Sequence, residues 1–150
     1  MPITILVADD HEVVRHGIRM ILSVHPEWQV CGEAVNGEQA VRMAEELKPD
    51  VIVMDIAMPG MTGIEATREI SKLNLRSKIL IFTMHASKTL PEYVRAAGAC
   101  GYVLKSRASQ DLVAALERLL GGETFFKESD RFDDERQPQF DKHFPAPSLT

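Results

Sequence analysis

Hydrophobic residues along the chain follow two alternating periods. Short apolar runs of the kind found in strands buried on both faces cover five segments: Ile3 to Asp9, Gln29 to Ala34, Asp50 to Asp55, Lys78 to Thr83 and Gly101 to Lys105. The segments between them carry apolar residues at the i, i+3, i+4 spacing of an amphipathic helix, as in Val14, Ile18, Ile21 and Leu22. The alternation predicts five units, each a strand followed by a helix.

Cap and turn residues fall where this pattern needs them. Asn36 is suited to cap the second helix and Pro49 to stop it, and Pro91 suits the first turn of the fourth. Ser109 is expected to cap the fifth helix, and Gly121 with its neighbouring glycine to end it. The predicted helices therefore begin and end between the predicted strands.

Strands that alternate with helices form a parallel sheet with helices on both faces. In open sheets of this α/β, doubly wound class, ligands bind beyond the carboxyl ends of the strands. The polar residues that fall at or just after such ends are Asp9, Asp10, Asp55, Thr83 and Lys105. We expect these side chains to converge at one edge of the sheet.

Length and charge limit the class of protein. The chain has 150 residues, 45% of them hydrophobic, a formal net charge of -5 and a pI near 5.5. These values suit one globular domain and argue against a broad nucleic-acid-binding surface. Cys31 and Cys100 lack metal or redox spacing, so we expect reduced thiols. No charged leader or membrane-length apolar window is found, and we expect a cytoplasmic protein.

The last residues differ in character from the rest. We place a domain at residues 1–122 and an acidic tail at residues 123–150, which contains three prolines and five of the six phenylalanines. Its composition favours disorder, whereas its phenylalanines favour loose docking on the domain or on a partner. Both alternatives stay open.

Asp55 is the one charged residue in the apolar run from Val51 to Met58. An ionised group on a buried strand is costly unless something compensates its charge. Two carboxylates about 5 Å apart repel by roughly 3 kcal/mol at an effective dielectric near 20. Asp9, Asp10 and Asp55 together exceed the single charge of Lys105 by two, so a divalent cation fits. Hard oxygen ligands favour Mg²⁺.

This acid set has a chemical use. With a metal bound, Asp55 keeps one carboxylate oxygen able to attack phosphorus, as in enzymes that form aspartyl-phosphates. The metal and Lys105 would neutralise charge on the phosphoryl oxygens, and the Thr83 hydroxyl could donate to another. The simpler alternatives are a helix-capping role for Asp10, a solvated Lys105 and a purely structural Thr83.

The combined pattern resembles the receiver domain of two-component response regulators. It consists of the pair Asp9 and Asp10, Asp55 followed by Met58-Pro59-Gly60, Thr83, and Lys105 three residues after Tyr102. The resemblance spans about residues 3–121. The stretches MPGMTGIEA and FTMH are most similar to receivers of regulators with a LuxR-type helix-turn-helix, although we expect no such output domain in this chain.

The resemblance implies a flavodoxin-like, five-stranded sheet of order 2-1-3-4-5 and a phosphorylation-dependent switch rather than an enzyme. The phosphoryl donor would be a histidine kinase or phosphotransfer protein, and the output an unknown protein target or a homodimer. The implied residue roles are Asp55 as phosphoacceptor; Asp10, Asp55 and the Ala57 carbonyl as Mg²⁺ ligands; Asp9 on metal-bound water; Lys105 on the phosphoryl group; and Thr83 with Tyr102 as the switch.

Some residues depart from this pattern. Ser106 follows Lys105, where many receivers have a proline with a cis bond. Met84 is bulky, and we hypothesise that it restricts attacking water and slows dephosphorylation. Arg15 and Arg19 are expected on exposed faces of the first helix.

Two other functions are weighed. A haloacid-dehalogenase-type phosphatase would need an acid at position 57, where this chain has Ala57. A pseudo-receiver that binds partners without phosphorylation is the alternative kept open, although the intact acid set argues against it. Direct nucleic-acid binding by this chain is not expected, because the tail lacks the length and basic charge of a helix-turn-helix.

Overall fold

Strands and helices alternate in the computed structural model, which describes residues 2–126. The strands are β1 (Ile3–Ala8), β2 (Trp28–Ala34), β3 (Val51–Met54), β4 (Lys78–Thr83), β5 (Gly101–Leu104) and β6 (Phe125–Phe126). The helices are α1 (Glu12–Leu22), α2 (Gly37–Leu47), α3 (Gly63–Lys72), α4 (Leu90–Ala97) and α5 (Ala108–Leu120). A 3₁₀ turn, Lys105–Arg107, joins β5 to α5. Most of the predicted tail, residues 127–150, lies outside the described residues.

All strands pair in parallel in one sheet of order β2-β1-β3-β4-β5-β6. The first five follow the predicted order 2-1-3-4-5, but the predicted count of five strands is wrong. Phe125 and Phe126 add a sixth, and the Phe125 amide donates to the Cys100 carbonyl at 3.0 Å. The Phe125 side chain is buried, and the Arg95 guanidinium lies 4.2 Å from the centre of the Phe126 ring. The described part of the predicted tail is thus docked on the domain.

Local signals explain most helix ends. The Asn36 side chain accepts from the Gln39 amide at 2.8 Å, and Pro91 lies in the first turn of α4. Helix α5 begins at Ala108, directly after the 3₁₀ turn, so Ser109 is inside the helix and the prediction that it caps α5 is wrong. Gly121 ends α5 as predicted.

Two apolar layers sandwich the sheet. Alternate strand residues point to opposite faces, so Leu6 and Ile52 pack under α2, α3 and α4, while Val7 and Val53 pack under α1 and α5. Both cysteines are free. Among the helices of residues 2–126, none has the length and apolar character needed to cross a membrane. The two layers cover the faces of the sheet and not the carboxyl ends of its strands.

Phe125→Ala tests the docking of β6. The ring is 7% exposed, and removing a ring of this size from a core costs about 3 kcal/mol, so we expect the free energy of unfolding to fall by about that amount. Urea denaturation followed by circular dichroism measures it. Phe126→Ala, on a half-buried ring, is the control and should cost less. A loss below about 1 kcal/mol for Phe125→Ala would contradict the docking.

Candidate functional site

The carboxyl ends of β1, β3 and β5 bring three acids and one lysine together. Asp9 and Asp55 are buried, with exposures of 1% and 4%, whereas Asp10 is half-buried. The Lys105 ammonium lies 2.7 Å from Asp9 Oδ2 and 3.4 Å from Asp55 Oδ2. The predicted convergence of Asp9, Asp10, Asp55 and Lys105 is therefore present.

Two carboxylate oxygens of this cluster are buried without a hydrogen-bond partner among the described residues, Asp9 Oδ2 and Asp10 Oδ1. Each of these oxygens lies close to a basic side chain: Lys105 Nζ is 2.7 Å from Asp9 Oδ2, and His11 Nδ1 is 3.1 Å from Asp10 Oδ1. Ligand atoms of Asp9, Asp10, His11 and Asp55 all lie within 4.8 Å of one another. Such buried, unsatisfied oxygens fit a hard cation such as Mg²⁺.

The carboxyl group of Asp55 has an unusual affinity for its proton. Burial raises its pKa from the ordinary 3.8 to about 6; the charge of Lys105 opposes this rise, and the charge of Asp9 adds to it. The positive charge of one lysine is therefore too small for two buried carboxylates. A perturbed acid in a cleft is typical of a functional site.

The loop after β3 holds the backbone of Asp55 in place. The Gly63 amide donates to the Ile56 carbonyl at 2.8 Å, and a Cβ atom at position 63 would lie 1.8 Å from the Asp55 carbonyl oxygen. Only glycine allows this close approach. Thr62 and Glu65 form a reciprocal cap at the start of α3, which fixes the other end of the loop.

A cavity of about 420 Å³ opens beside Asp55. Its lining includes His11, Ala57, Thr83, Met84 and Lys105. Thr83 is buried at the end of β4, whereas Met84 is 64% exposed at the rim. The cavity has room for a phosphoryl group. Thr83 and Asp55 both line it.

Tyr102 lies further from the acids, in the core. Its ring is fully buried in the layer that contains Leu90 and Val94 of α4, and its hydroxyl donates to the His85 carbonyl at 3.4 Å. His85 follows Thr83 by two residues, so Tyr102 contacts the loop that leaves β4. The peptide bond between Lys105 and Ser106 is trans.

Arg15 was not predicted to be near the site. The expectation of an exposed position is wrong, since its side chain is 13% exposed and its guanidinium Nη1 donates to the Asp9 carbonyl at 2.8 Å. Its Nε also donates to Glu33 Oε1 at 2.7 Å. A charged residue at position 33, within the otherwise mostly apolar β2, was the one sequence signal that could have indicated a buried partner.

A family model described as the response regulator receiver domain matches residues 5–117. The chain belongs to the response regulator receiver domain family. Its relatives include the response regulators UvrY and NarL, and the solved structures similar to it include a two-component response regulator of the LuxR family.

Two relatives each match most of the chain. The response regulator UvrY of Escherichia coli is 42% identical over 123 residues, which are 82% of this chain and 56% of UvrY. The nitrate/nitrite response regulator NarL of Escherichia coli is 38% identical over 130 residues, 85% of this chain and 59% of NarL. The chain therefore spans a little more than half the length of these relatives.

Solved structures share the fold. A LuxR-family two-component response regulator from Aurantimonas sp. SI85-9A1 has a TM-score of 0.83 at 36% identity, covering 92% of this chain and 99% of that one. The isolated receiver domain of RcsB from Salmonella enterica serovar Typhimurium, solved with the phosphomimetic BeF₃⁻, has a TM-score of 0.79 at 29% identity, covering 87% and 96%.

Asp55→Asn should stabilise the metal-free protein at pH 8. The pKa of Asp55 is about 6 in the folded protein and near 3.8 in the unfolded chain. Between these pH values the folded state therefore binds more protons than the unfolded state, and the free energy of unfolding falls as pH rises through them. Above pH 6 the wild type carries the full cost of the buried charge. We expect the free energy of unfolding of the variant at pH 8 to exceed that of the wild type by about 3 kcal/mol, at about 1.4 kcal/mol for each unit of pKa shift.

Urea denaturation in EDTA at pH 8 and pH 4 measures this difference. The gain should shrink towards zero at pH 4, where Asp55 is protonated in most folded molecules. Asp50→Asn, at the opposite end of β3, is the control and should bring no gain at pH 8. A variant no more stable than the wild type at pH 8 would contradict the raised pKa.

Proposed function

We propose that this chain is a phosphorylation-dependent switch of a two-component system, with Asp55 as the acceptor of a phosphoryl group. The donor is a histidine kinase or a phosphotransfer protein. The observation that carries the proposal is the buried Asp55 carboxylate within 3.4 Å of the Lys105 ammonium, beside a cavity and two further acids. Membership of the receiver family supports it.

The residues that would hold a Mg²⁺ ion are Asp9, Asp10, Asp55 and the backbone carbonyl of Ala57. The orphaned oxygens of Asp9 and Asp10 support this assignment. When bound, Mg²⁺ supplies positive charge that offsets the charge of the phosphoryl oxygens. The Lys105 ammonium lies between Asp9 and Asp55, which supports a contact from it to the same phosphoryl oxygens.

Asp55 acts as the nucleophile. One of its carboxylate oxygens forms a bond to phosphorus while the bond between phosphorus and the donor atom breaks, and the donor leaves with the electron pair. Above pH 6 the carboxyl group is ionised and ready to attack. The product stays attached, so the chain is a switch rather than an enzyme, apart from phosphorylating and dephosphorylating itself.

The added charge changes the α4, β5 and α5 face through Thr83 and Tyr102. Thr83 donates its hydroxyl to a phosphoryl oxygen, and the loop that follows it carries the His85 carbonyl that binds Tyr102. Phosphorylation then shifts the population of conformations of this face. The readers are an unknown protein target or a second copy of the chain, and the net charge of -5 favours such partners over nucleic acid.

Incubation with Mg²⁺ and acetyl phosphate tests the proposal. We expect intact mass spectrometry to find one phosphoryl group on the wild type and none on Asp55→Asn, because Asp55 is the carboxylate that lines the cavity beside Lys105. Asp50→Asn, at the opposite end of β3, is the matched control and should still be modified. A wild type that stays unmodified would favour the pseudo-receiver, and continuous turnover of the donor would favour a phosphatase.

Met84→Ala should shorten the lifetime of the phosphorylated state. Met84 lies at the rim of the cavity, and a smaller side chain opens a path for water to the phosphorus atom. We expect the half-life, followed by intact mass after removal of the donor, to fall several-fold. Met20→Ala, an exposed methionine on α1, is the control and should leave it unchanged. An unchanged half-life in Met84→Ala would reject a shielding role.

A further inference from the structure

Behind the acidic pocket lies a group of three charged side chains, Arg15 and Arg19 of α1 and Glu33 of β2. Both arginines bind the same carboxylate: Arg15 Nε donates to Glu33 Oε1 at 2.7 Å, and Arg19 Nη1 donates to Glu33 Oε2. Burial raises the pKa of Glu33, but the hydrogen bonds and charges of Arg15 and Arg19 together hold it below its usual value. Glu33 therefore stays ionised and anchors both guanidinium groups.

Only Arg15 of this group also contacts the pocket. Its Nη1 donates to the main-chain carbonyl of Asp9 at 2.8 Å. On the other side of the same residue, Asp9 Oδ1 accepts from the His11 amide at 2.9 Å. The turn that carries Asp9 and Asp10 is thus fixed from both ends, with Arg15 reaching from the first helix.

We infer that Arg15 is a positioning residue that holds the Asp9 and Asp10 carboxylates ready for a divalent cation, with Glu33 as its anchor. The inference deepens the proposed function and rests on its Mg²⁺ site. Arg15 does not touch the reacting atoms. It acts on the carbonyl of Asp9, and therefore on the direction in which the neighbouring carboxylates point.

The chemistry of arginine suits this role. Its planar fork offers Nε to Glu33 and Nη1 to Asp9 at the same time, whereas a lysine has one ammonium and cannot reach two fixed acceptors in the same geometry. The side chain is 13% exposed, so both hydrogen bonds are largely shielded from water. Arg19, at 37% exposed, binds Glu33 without a described contact to Asp9. Both arginines therefore bind Glu33, whereas the hydrogen bond to Asp9 comes from Arg15.

Mg²⁺ binding to the full chain, measured by isothermal titration calorimetry without a phosphodonor, tests the inference. Residues that orient metal ligands typically change metal affinity by 10-fold or more, so we expect Arg15→Met to weaken Mg²⁺ binding by about 10-fold. Arg15→Lys keeps the charge but not the fork, and we expect a similar direction of change. If Arg15→Met does not fold, Arg15→Lys decides the outcome.

Arg19→Met is the matched control. It removes the same charge from the same helix and from the same carboxylate, but no contact to Asp9, so its Mg²⁺ affinity should stay within about twofold of the wild type. Mg²⁺ affinity that is unchanged in the decisive Arg15 variant would overturn the inference. An equal loss in Arg19→Met would also overturn it, because the effect would then be one of charge and not of position.

Phosphorylation at saturating Mg²⁺ separates this inference from the proposed function. A positioning role predicts that Arg15→Met still receives one phosphoryl group on Asp55 when Mg²⁺ is raised, with the Mg²⁺ dependence shifted by the same factor as the affinity. If the wild type binds Mg²⁺ but accepts no phosphoryl group, the proposed function fails, while the comparison of Mg²⁺ affinities still decides the role of Arg15.

Discussion

The burial of two carboxylates against a single ammonium is the constraint on which the rest of this structure depends. Asp9 and Asp55 lie below the surface of the sheet edge, and Lys105 reaches both. One positive charge offsets one negative charge, so the folded protein keeps a deficit that burial makes costly. On the proposed function, a bound divalent cation would offset this deficit.

The doubly wound sheet provides the rigidity that such a pocket needs. Its strands are covered on both faces, so the residues at their carboxyl ends project from a fixed platform. The loops above that platform are held by local contacts, among them the approach of Gly63 to the Asp55 carbonyl and the hydrogen bond from Arg15 to Asp9. The site residues therefore come from strand ends whose positions are fixed further by loop contacts. Such a rigid arrangement favours precise placement of side chains.

Most of the strands and the acid cluster could be predicted from the sequence, because long apolar runs fix a parallel sheet and such a sheet fixes where its ends meet. Asp9, Asp55 and Lys105 converge for that reason. The contact between Arg15 and Asp9 was not predicted, because Glu33, the other partner of Arg15, is 18 residues away in sequence and the two meet where α1 packs beside β2. Strand β6 was missed because two residues are too few for a periodic signal.

Strand β6 determines where a fragment of this domain can end without exposing β5. A fragment that stops after Gly122 would keep every predicted strand and helix, yet it would strip β5 of its outer neighbour. The backbone groups of Gly101 and Tyr102 that face Phe125 and Phe126 would then be open to pairing with another molecule. A recombinant receiver ended there would have a longer exposed edge strand and a greater tendency to self-associate, because Phe125 and Phe126 pair with two of the four residues of β5.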